Sequence, residues 1–101
     1  MPINLTITKT PEKSKKRLRA IFRIHKGGDV IKITDFGLKG AQTYLDHKDK
    51  TKRKNYRARH KKDLDTKDYK RAGYLSYFLL WGDNTSLDKN LKAYKKKFKL
   101  D

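Results

Sequence analysis

The chain of 101 residues contains 28 lysines and arginines against 11 aspartates and glutamates, which gives it a formal net charge of +17. This length suits a single small domain, 1–101, and so large a charge of one sign is typical of proteins that bind a polyanion, nucleic acid before any other. The absence of cysteine excludes disulfides and thiolate metal sites, and the scattered aromatic residues argue against a disordered basic tail.

The N-terminal residues alternate between apolar and polar side chains, with Ile3, Leu5 and Ile7 on one face of a half-buried strand. They lack the charged and then apolar order of a secretory signal, so we expect a protein that is not secreted. A second strand starts at Arg17 and alternates in the same way. Its apolar face carries Leu18, Ala20, Phe22 and Ile24.

The Gly27-Gly28 dipeptide predicts a two-residue hairpin turn, because glycine adopts the positive φ angles that such a turn needs. A third strand then follows over 29–36. A tight turn brings the apolar sets of the second and third strands onto the same face. The predicted facing pairs are Ile24 with Ile31 and Phe22 with Ile33.

The same register gathers basic side chains on the opposite face of the sheet and places Arg23 directly across from Lys32. Like charges in such positions are unfavourable. We interpret this face as an anion-binding surface because it carries almost no acid; the alternative is that its long side chains extend into water. The basic residues of this face are Arg17, Arg19, Arg23, His25 and Lys32.

The stretch YLDHKDKTKRKNYRARH, 44–60, predicts a basic helix that begins near Asp49, a favourable N-cap. Three- and four-residue spacing aligns one side of this helix, namely Arg53, Tyr56, Arg57, His60 and Leu64. Such a polar helix buries too little apolar surface to be held by that alone. Packing of Tyr56 and Leu64, hydrogen bonds from Arg53 and His60, or a bound polyanion must hold it. The remaining circumference is basic: Lys50, Lys52, Lys54, Arg59, Lys61 and Lys62.

After a loop of mixed charge over 63–70, the segment AGYLSYFLLW, 72–81, is apolar on all sides, which predicts a central buried helix. A base-stacking platform or a dimer contact is the alternative use of its aromatic side chains. The residues 82–84 end this helix, and Thr85 with Asp88 predicts a capping box for the next one.

The last helix is amphipathic, and we expect its apolar stripe to pack on the domain. That stripe contains Leu87, Leu91, Tyr94 and Phe98. The predicted fold class is therefore α+β: a small three-stranded antiparallel sheet over 1–36, followed over 41–101 by about three helices, one basic, one buried and one amphipathic.

The ordered set FG-x-x-G, Y-x-x-H-x-D, R-x-x-Y-x-x-RH, AG-x-x-S and LLW resembles a family of small basic proteins encoded by nucleocytoplasmic large DNA viruses. The residues that carry the resemblance are Phe36, Gly37, Gly40, Tyr44, His47, Asp49, Arg53, Tyr56, Arg59, His60, Ala72, Gly73, Ser76, Leu79, Leu80 and Trp81. The resemblance covers about the central half of the chain. It implies DNA as the polyanion, and a location in the virion or the viral factory of the host cytoplasm. The basic cluster from Lys13 to Arg17 resembles a nuclear-localisation signal, so the nucleus is the alternative location.

We expect sequence-independent DNA binding and compaction through phosphate contacts, with RNA as a close second. The expected contact residues are Arg17, Arg19, Arg23, Lys32, Lys50, Lys52, Arg53, Lys54, Arg57, Arg59, Lys61 and Lys62. The motif residues are interpreted as a structural polar network instead: Tyr44, His47, Asp49, Tyr56, His60 and Trp81.

The three histidines have neither a metal-ligand nor a catalytic spacing, so we expect no enzyme activity, no metal and no other cofactor. No apolar run is long enough to span a bilayer, and we expect neither a membrane nor a small-molecule partner. Two alternatives remain open. One is a homodimeric structural or virion protein that associates through 72–81 and the stripe of the last helix; the other is a phosphodiester-cleaving enzyme.

Overall fold

The structure is a computed structural model, and it describes residues 2–101. Over these residues the chain forms three strands and four α-helices: β1 Asn4–Lys9, β2 Lys16–Arg23, β3 Val30–Leu38, α1 Tyr44–His47, α2 Lys50–His60, α3 Ala72–Leu75 and α4 Leu87–Phe98. A 3₁₀ turn, Lys61–Thr66, continues α2, and a π-helical turn, Ser76–Leu80, continues α3. The α+β class and the N-terminal three-stranded antiparallel sheet are confirmed, although the helical part contains four helices rather than about three.

The sheet has the order β1-β2-β3 and packs one face on the helices. The apolar residues of β1 and β2 alternate inward as expected, and removal of their side chains from water is the main source of stability. The buried core consists of Leu5, Leu18, Ala20, Phe22 and Phe36 from the sheet and Leu75, Leu79, Leu80 and Tyr94 from the helices. The backbone of Asp101 bonds to Ile3 and Leu5 and thereby covers the edge of β1, whereas β3 is the other edge of the sheet.

The register of β2 against β3 differs from the predicted one. Phe22 lies opposite Lys32, Ile21 lies opposite Ile33, and Arg23 lies opposite Val30. A shift of one residue moves every side chain of a strand to the other face of the sheet. The predicted pairs Phe22 with Ile33 and Ile24 with Ile31, and the apposition of Arg23 with Lys32, are therefore wrong.

The connection between the two strands explains this shift. The N–H of Ile24 donates to the carbonyl of Asp29 and the N–H of Gly28 to the carbonyl of His25, both at 2.9 Å, so the loop has four residues rather than two. The pairing then slips beside Arg23, which leaves Ile31 as the additional residue of a β-bulge. Loop length and bulge together shift the register.

As a consequence, isoleucines that the sequence pattern assigned to the core lie at the surface. Ile24, Ile31 and Ile33 are 52%, 47% and 53% exposed. With Val30 they place four exposed apolar side chains on the β2–β3 hairpin, which we call the hairpin patch. The main contribution of β3 to the core is the side chain of Phe36, which is fully buried.

The segment 72–81 is the central buried element, as predicted, and four of its side chains are buried in the core: Tyr74, Leu75, Leu79 and Leu80. The stripe of α4 packs against this segment, so the interpretation of both as core is confirmed. Ser86 rather than Thr85 caps α4, because its hydroxyl accepts the N–H of Lys89. Part of the predicted loop 63–70 is instead the 3₁₀ turn. No helix in the described part of the chain has the length and apolar character needed to cross a membrane.

Candidate nucleic-acid interface

Stacked aromatic rings attach the basic helix α2 to the domain. The ring of Tyr56 lies 4.3 Å from that of Trp81, with planes 6° apart, and 4.1 Å from that of His60, with planes 22° apart. The ring of His47 lies 5.2 Å from Trp81 and extends the stack. We call these four side chains the aromatic ladder. The burial of Tyr56 within it raises the pKa of the Tyr56 phenol. Stacking with Trp81 therefore supplies the packing that α2 lacks by itself.

Two arginines of α2 point to the same side of the helix and bind groups of the domain. Arg53 donates to the carbonyl of Gly82 at 3.3 Å and lies 4.8 Å from the ring centroid of Tyr44. Arg57 donates to the carboxylate of Asp83 at 3.2 Å. Both guanidinium groups thus anchor α2 to the turn that ends the buried segment, and both Nε atoms are buried. The predicted alignment of this side of the helix is confirmed.

The motif histidines also act inside the domain. His47 accepts the backbone N–H of Asp49 through Nδ1 at 2.9 Å, and the Nδ1 of His60 lies 3.0 Å from the carboxylate of Asp63. Asp49 caps α2, as predicted, by accepting the N–H groups of Thr51 and Lys52. The hydrogen bond from the Lys52 amide, and to a smaller extent that from the Thr51 amide, hold the pKa of Asp49 below its usual value. The structure therefore joins the six motif residues in one network around the start and inner side of α2.

On the sheet, carboxylates engage two of the predicted basic residues. Arg17 makes two hydrogen bonds with Asp46, at 2.8 and 3.1 Å, and this contact lowers the pKa of Asp46 to about 2. Arg19 binds Asp35 across the strand pair at the same two distances. The expectation of a sheet face with almost no acid is wrong, because Asp35 lies directly opposite Arg19. Arg23 and Lys32 have no ion pair within residues 2–101.

The other flank of α2 and its 3₁₀ continuation carry exposed positive charge. No acidic residue occurs between Asp49 and Asp63. We call the exposed side chains there the basic flank: Lys50, Lys52, Lys54, Arg59, Lys61 and Lys62. None of them forms an ion pair within residues 2–101. The structure thus leaves half of the predicted contact residues exposed and without an ion pair around the outer circumference of α2 and its continuation.

A cavity of about 210 Å³ lies between this flank and the aromatic ladder. Its lining is Gln42, His47, Lys52, Asn55, Arg59 and Trp81. The sequence interpretation missed Gln42 and Asn55. Asn55 lies three residues after Lys52 and four before Arg59, so helical spacing contained the signal for it. Gln42 belongs to the loop between β3 and α1, and no periodicity pointed to it.

Residues 5–60 match the model of a family of unknown function, DUF5754. The protein belongs to this family. The DUF5754 match contains the sheet except Asn4, together with α1 and α2, and thus every predicted contact residue except Lys61 and Lys62. Trp81 lies outside the matched residues, so a side chain beyond them completes the aromatic ladder. No curated protein and no solved structure matches the chain.

Proposed function

We propose that this DUF5754 protein binds nucleic acid, duplex DNA in the first place, through the basic flank of α2. The observation that carries the proposal is that six exposed cations lie on one helix and its continuation with no carboxylate to neutralise them. Cations in this state release counterions from nucleic acid when they contact phosphates, which drives association.

The anchoring of α2 supports the same function. The aromatic ladder and the two inner arginines hold the helix in place, so little conformational freedom of its backbone is lost on binding. An eleven-residue helix is roughly 16 Å long, a length over which duplex DNA presents several phosphates. Lysine predominates in the flank, and as a flexible point charge it contacts phosphates without reading bases. We therefore propose binding that is largely independent of sequence.

The resemblance to proteins of large DNA viruses suggests the setting. We propose that the target is viral DNA during packaging, in the virion nucleoid or in the replication factory. RNA is the alternative polymer, because phosphate contacts of this kind are common to both nucleic acids.

A salt series tests the proposal. Fluorescence anisotropy with a duplex, a single strand and an RNA hairpin measures affinity between 50 and 200 mM salt. If about six phosphates are neutralised, duplex affinity falls on the order of a thousandfold over this range. A flat salt response, or no binding at 50 mM, would remove nucleic-acid binding as the function. Tighter binding of the RNA hairpin would replace DNA by RNA as the target.

Self-association is a second candidate function, and the hairpin patch favours it. The surfaces that the sequence suggested for a dimer, 72–81 and the stripe of α4, are packed within the domain's own core. Three of the four exposed side chains of the hairpin patch instead belong to the edge strand β3, and Ile24 follows β2. A second copy suits this edge: in the dimer that we propose, two β3 strands pair antiparallel about a twofold axis, with Ile33 facing its own counterpart.

Sedimentation measurements with Ile33→Lys test this candidate. We expect the unmodified chain to dimerise and the variant to be monomeric, because the twofold axis brings two lysines together. Leu38→Lys is the matched control, since Leu38 is 57% exposed at the far end of the same strand. A monomeric wild-type chain at all concentrations would exclude the dimer.

A further inference from the structure

We infer that the cavity beside α2 is a binding site for one phosphate group, held more specifically than the phosphates along the basic flank. The assignment of this phosphate to a nucleic acid rests on the proposed function. Its basis is the chemistry of the lining. Two cations, two amides, an imidazole and an indole surround about 210 Å³, and there is no carboxylate among them.

Three of the lining side chains come from one stripe of α2. Lys52, Asn55 and Arg59 follow one another at intervals of three and four residues, so they face the cavity together. Gln42 approaches from the loop before α1. Within residues 2–101 these four side chains make no hydrogen bond to the protein, so their donors remain available to a ligand.

The imidazole of His47 adds a donor with a defined proton position. Its Nδ1 accepts the backbone N–H of Asp49, so in the neutral ring the proton is on Nε2. The Nε2 atom is buried and has no hydrogen-bond partner within the described residues. Buried donors are almost always paired in folded proteins, and an orphaned one indicates a missing acceptor. Solvent does not reach this atom in the unliganded protein, so an oxygen of a bound anion pairs with it only when the side chains around the ring move apart.

A phosphate group suits these donors better than a carboxylate does. Its oxygens point in several directions, and the cavity offers donors from α1, from α2 and from the loop before α1. Charge-assisted hydrogen bonds from lysine and arginine are the strong component, while the amides and the imidazole orient the group. Trp81, held by its stacking on Tyr56, forms a fixed wall. The phosphate comes either from the end of a nucleotide chain or from an internal phosphodiester, and the experiment separates these two sources.

The test is an NMR titration of the protein, observing side-chain amide and imidazole nitrogens. The probes are inorganic phosphate, a 5′-mononucleotide, and one short duplex with and without 5′-phosphates. We expect saturable shifts at His47 Nε2 and at the amides of Gln42 and Asn55. A preference for the 5′-phosphorylated duplex assigns the site to a terminal phosphate, whereas equal affinity for both duplexes assigns it to an internal phosphodiester.

Two pairs of variants separate the cavity from general electrostatics. Arg59→Ala and Lys54→Ala each remove one charge from α2, but only Arg59 lines the cavity. We expect Arg59→Ala to weaken mononucleotide binding about tenfold and Lys54→Ala less than twofold. Asn55→Ala and Gln42→Ala leave the charge unchanged and lie on different elements, and each is expected to weaken binding by about fivefold.

The outcomes distinguish this inference from the proposed function. If duplex DNA binds with its steep salt dependence but the cavity variants behave like Lys54→Ala, the phosphate site is refuted and nucleic-acid binding stands. If the cavity binds the mononucleotide and the duplex does not bind, the site stands and the proposed function falls. Non-saturable shifts of the observed amide and imidazole nitrogens refute the site as well.

Discussion

The outer face of the sheet and the flank of α2 are both rich in basic residues, and the two regions use them differently. On the sheet, Arg17 and Arg19 each bind a carboxylate through two hydrogen bonds. On the flank, the six exposed cations have no such partner within residues 2–101. The difference follows residue type: five of the seven arginines are in ion pairs, whereas Lys70 is the one paired lysine in the described part of the chain.

Side-chain chemistry accounts for this division. The planar guanidinium matches a carboxylate in two places at once, so arginine suits contacts that join elements of the fold. Lysine carries a strongly hydrated point charge on a flexible chain and remains in water. A count of basic residues along the sequence therefore overstates the charge that is available to a partner. The unpaired lysines carry the available charge, on α4 as well as on the flank.

The largest expected effect comes from reversing charge on the flank. Lys50→Glu, Lys54→Glu and Lys61→Glu combined should weaken duplex binding by on the order of several hundredfold at 0.1 M salt, because three phosphate contacts are lost. The matched control is Lys89→Glu, Lys92→Glu and Lys96→Glu on α4, which changes the net charge equally at exposed positions. Anisotropy titrations compare the two. Equal losses would mean that total charge, and not the flank, determines affinity.

The second prediction concerns what holds the flank in place. Trp81→Ala removes the ring on which Tyr56 stacks and should lower the free energy of unfolding by about 3 kcal/mol. Trp81→Phe retains a ring and should cost less than half as much. Urea titrations followed by circular dichroism measure both. If Trp81→Ala unfolds at the same urea concentration as the wild type, the aromatic ladder does not anchor α2. The flank would then not be held in place by the packing proposed for it.

Features set by local spacing were predictable from the sequence. The N-cap at Asp49 follows from its residue type, and the inner side of α2 with Tyr56 and Arg57 follows from helical periodicity. The buried segment 72–81 follows from its apolar character on all sides. The stacking partner of Tyr56 was not predictable in this way, because Trp81 lies far along the chain and periodicity does not specify long-range contacts.

The prediction of the sheet register failed for a related reason. Both a two-residue and a four-residue loop are compatible with glycine at 27 and 28, and only the second occurs. The bulge at Ile31 then shifts Ile33 to the outer face. That shift brings Asp35 opposite Arg19 and so removes the acid-free face that the sequence suggested. A register shift of one residue thus decides whether the basic side chains of a strand are free or bound to carboxylates.

The third prediction uses pH to examine the paired arginines. The pKa of Asp46 is about 2 in the folded protein, below its usual 3.8, because Arg17 donates hydrogen bonds to its carboxylate. A lowered folded pKa stabilises the protein above pH 4, and the benefit is lost as pH falls from about 5 towards 2. Since about a third of this pair is exposed, we expect Asp46→Asn to cost roughly 1 kcal/mol at pH 7.

Thermal unfolding between pH 7 and pH 2 measures this effect. The stability curves of wild type and Asp46→Asn should converge as the wild-type carboxylate becomes protonated. A difference that stays constant down to pH 2 would show that the amide disturbs packing rather than the ion pair.

The smallest expected effect comes from releasing a cation on the sheet. Asp35→Asn leaves Arg19 without its carboxylate and adds one positive charge to the outer face. Because screening limits such a charge to about 10 Å at 0.1 M salt, duplex affinity should rise only about twofold. Glu12→Gln is the control, since Glu12 is exposed, lies in the β1–β2 loop and forms no ion pair within residues 2–101.

A tenfold rise for Asp35→Asn alone, with a salt dependence steeper by about one phosphate, would place the sheet in the interface. In that case the carboxylates restrain an anion-binding face, and the two regions differ in degree rather than in kind.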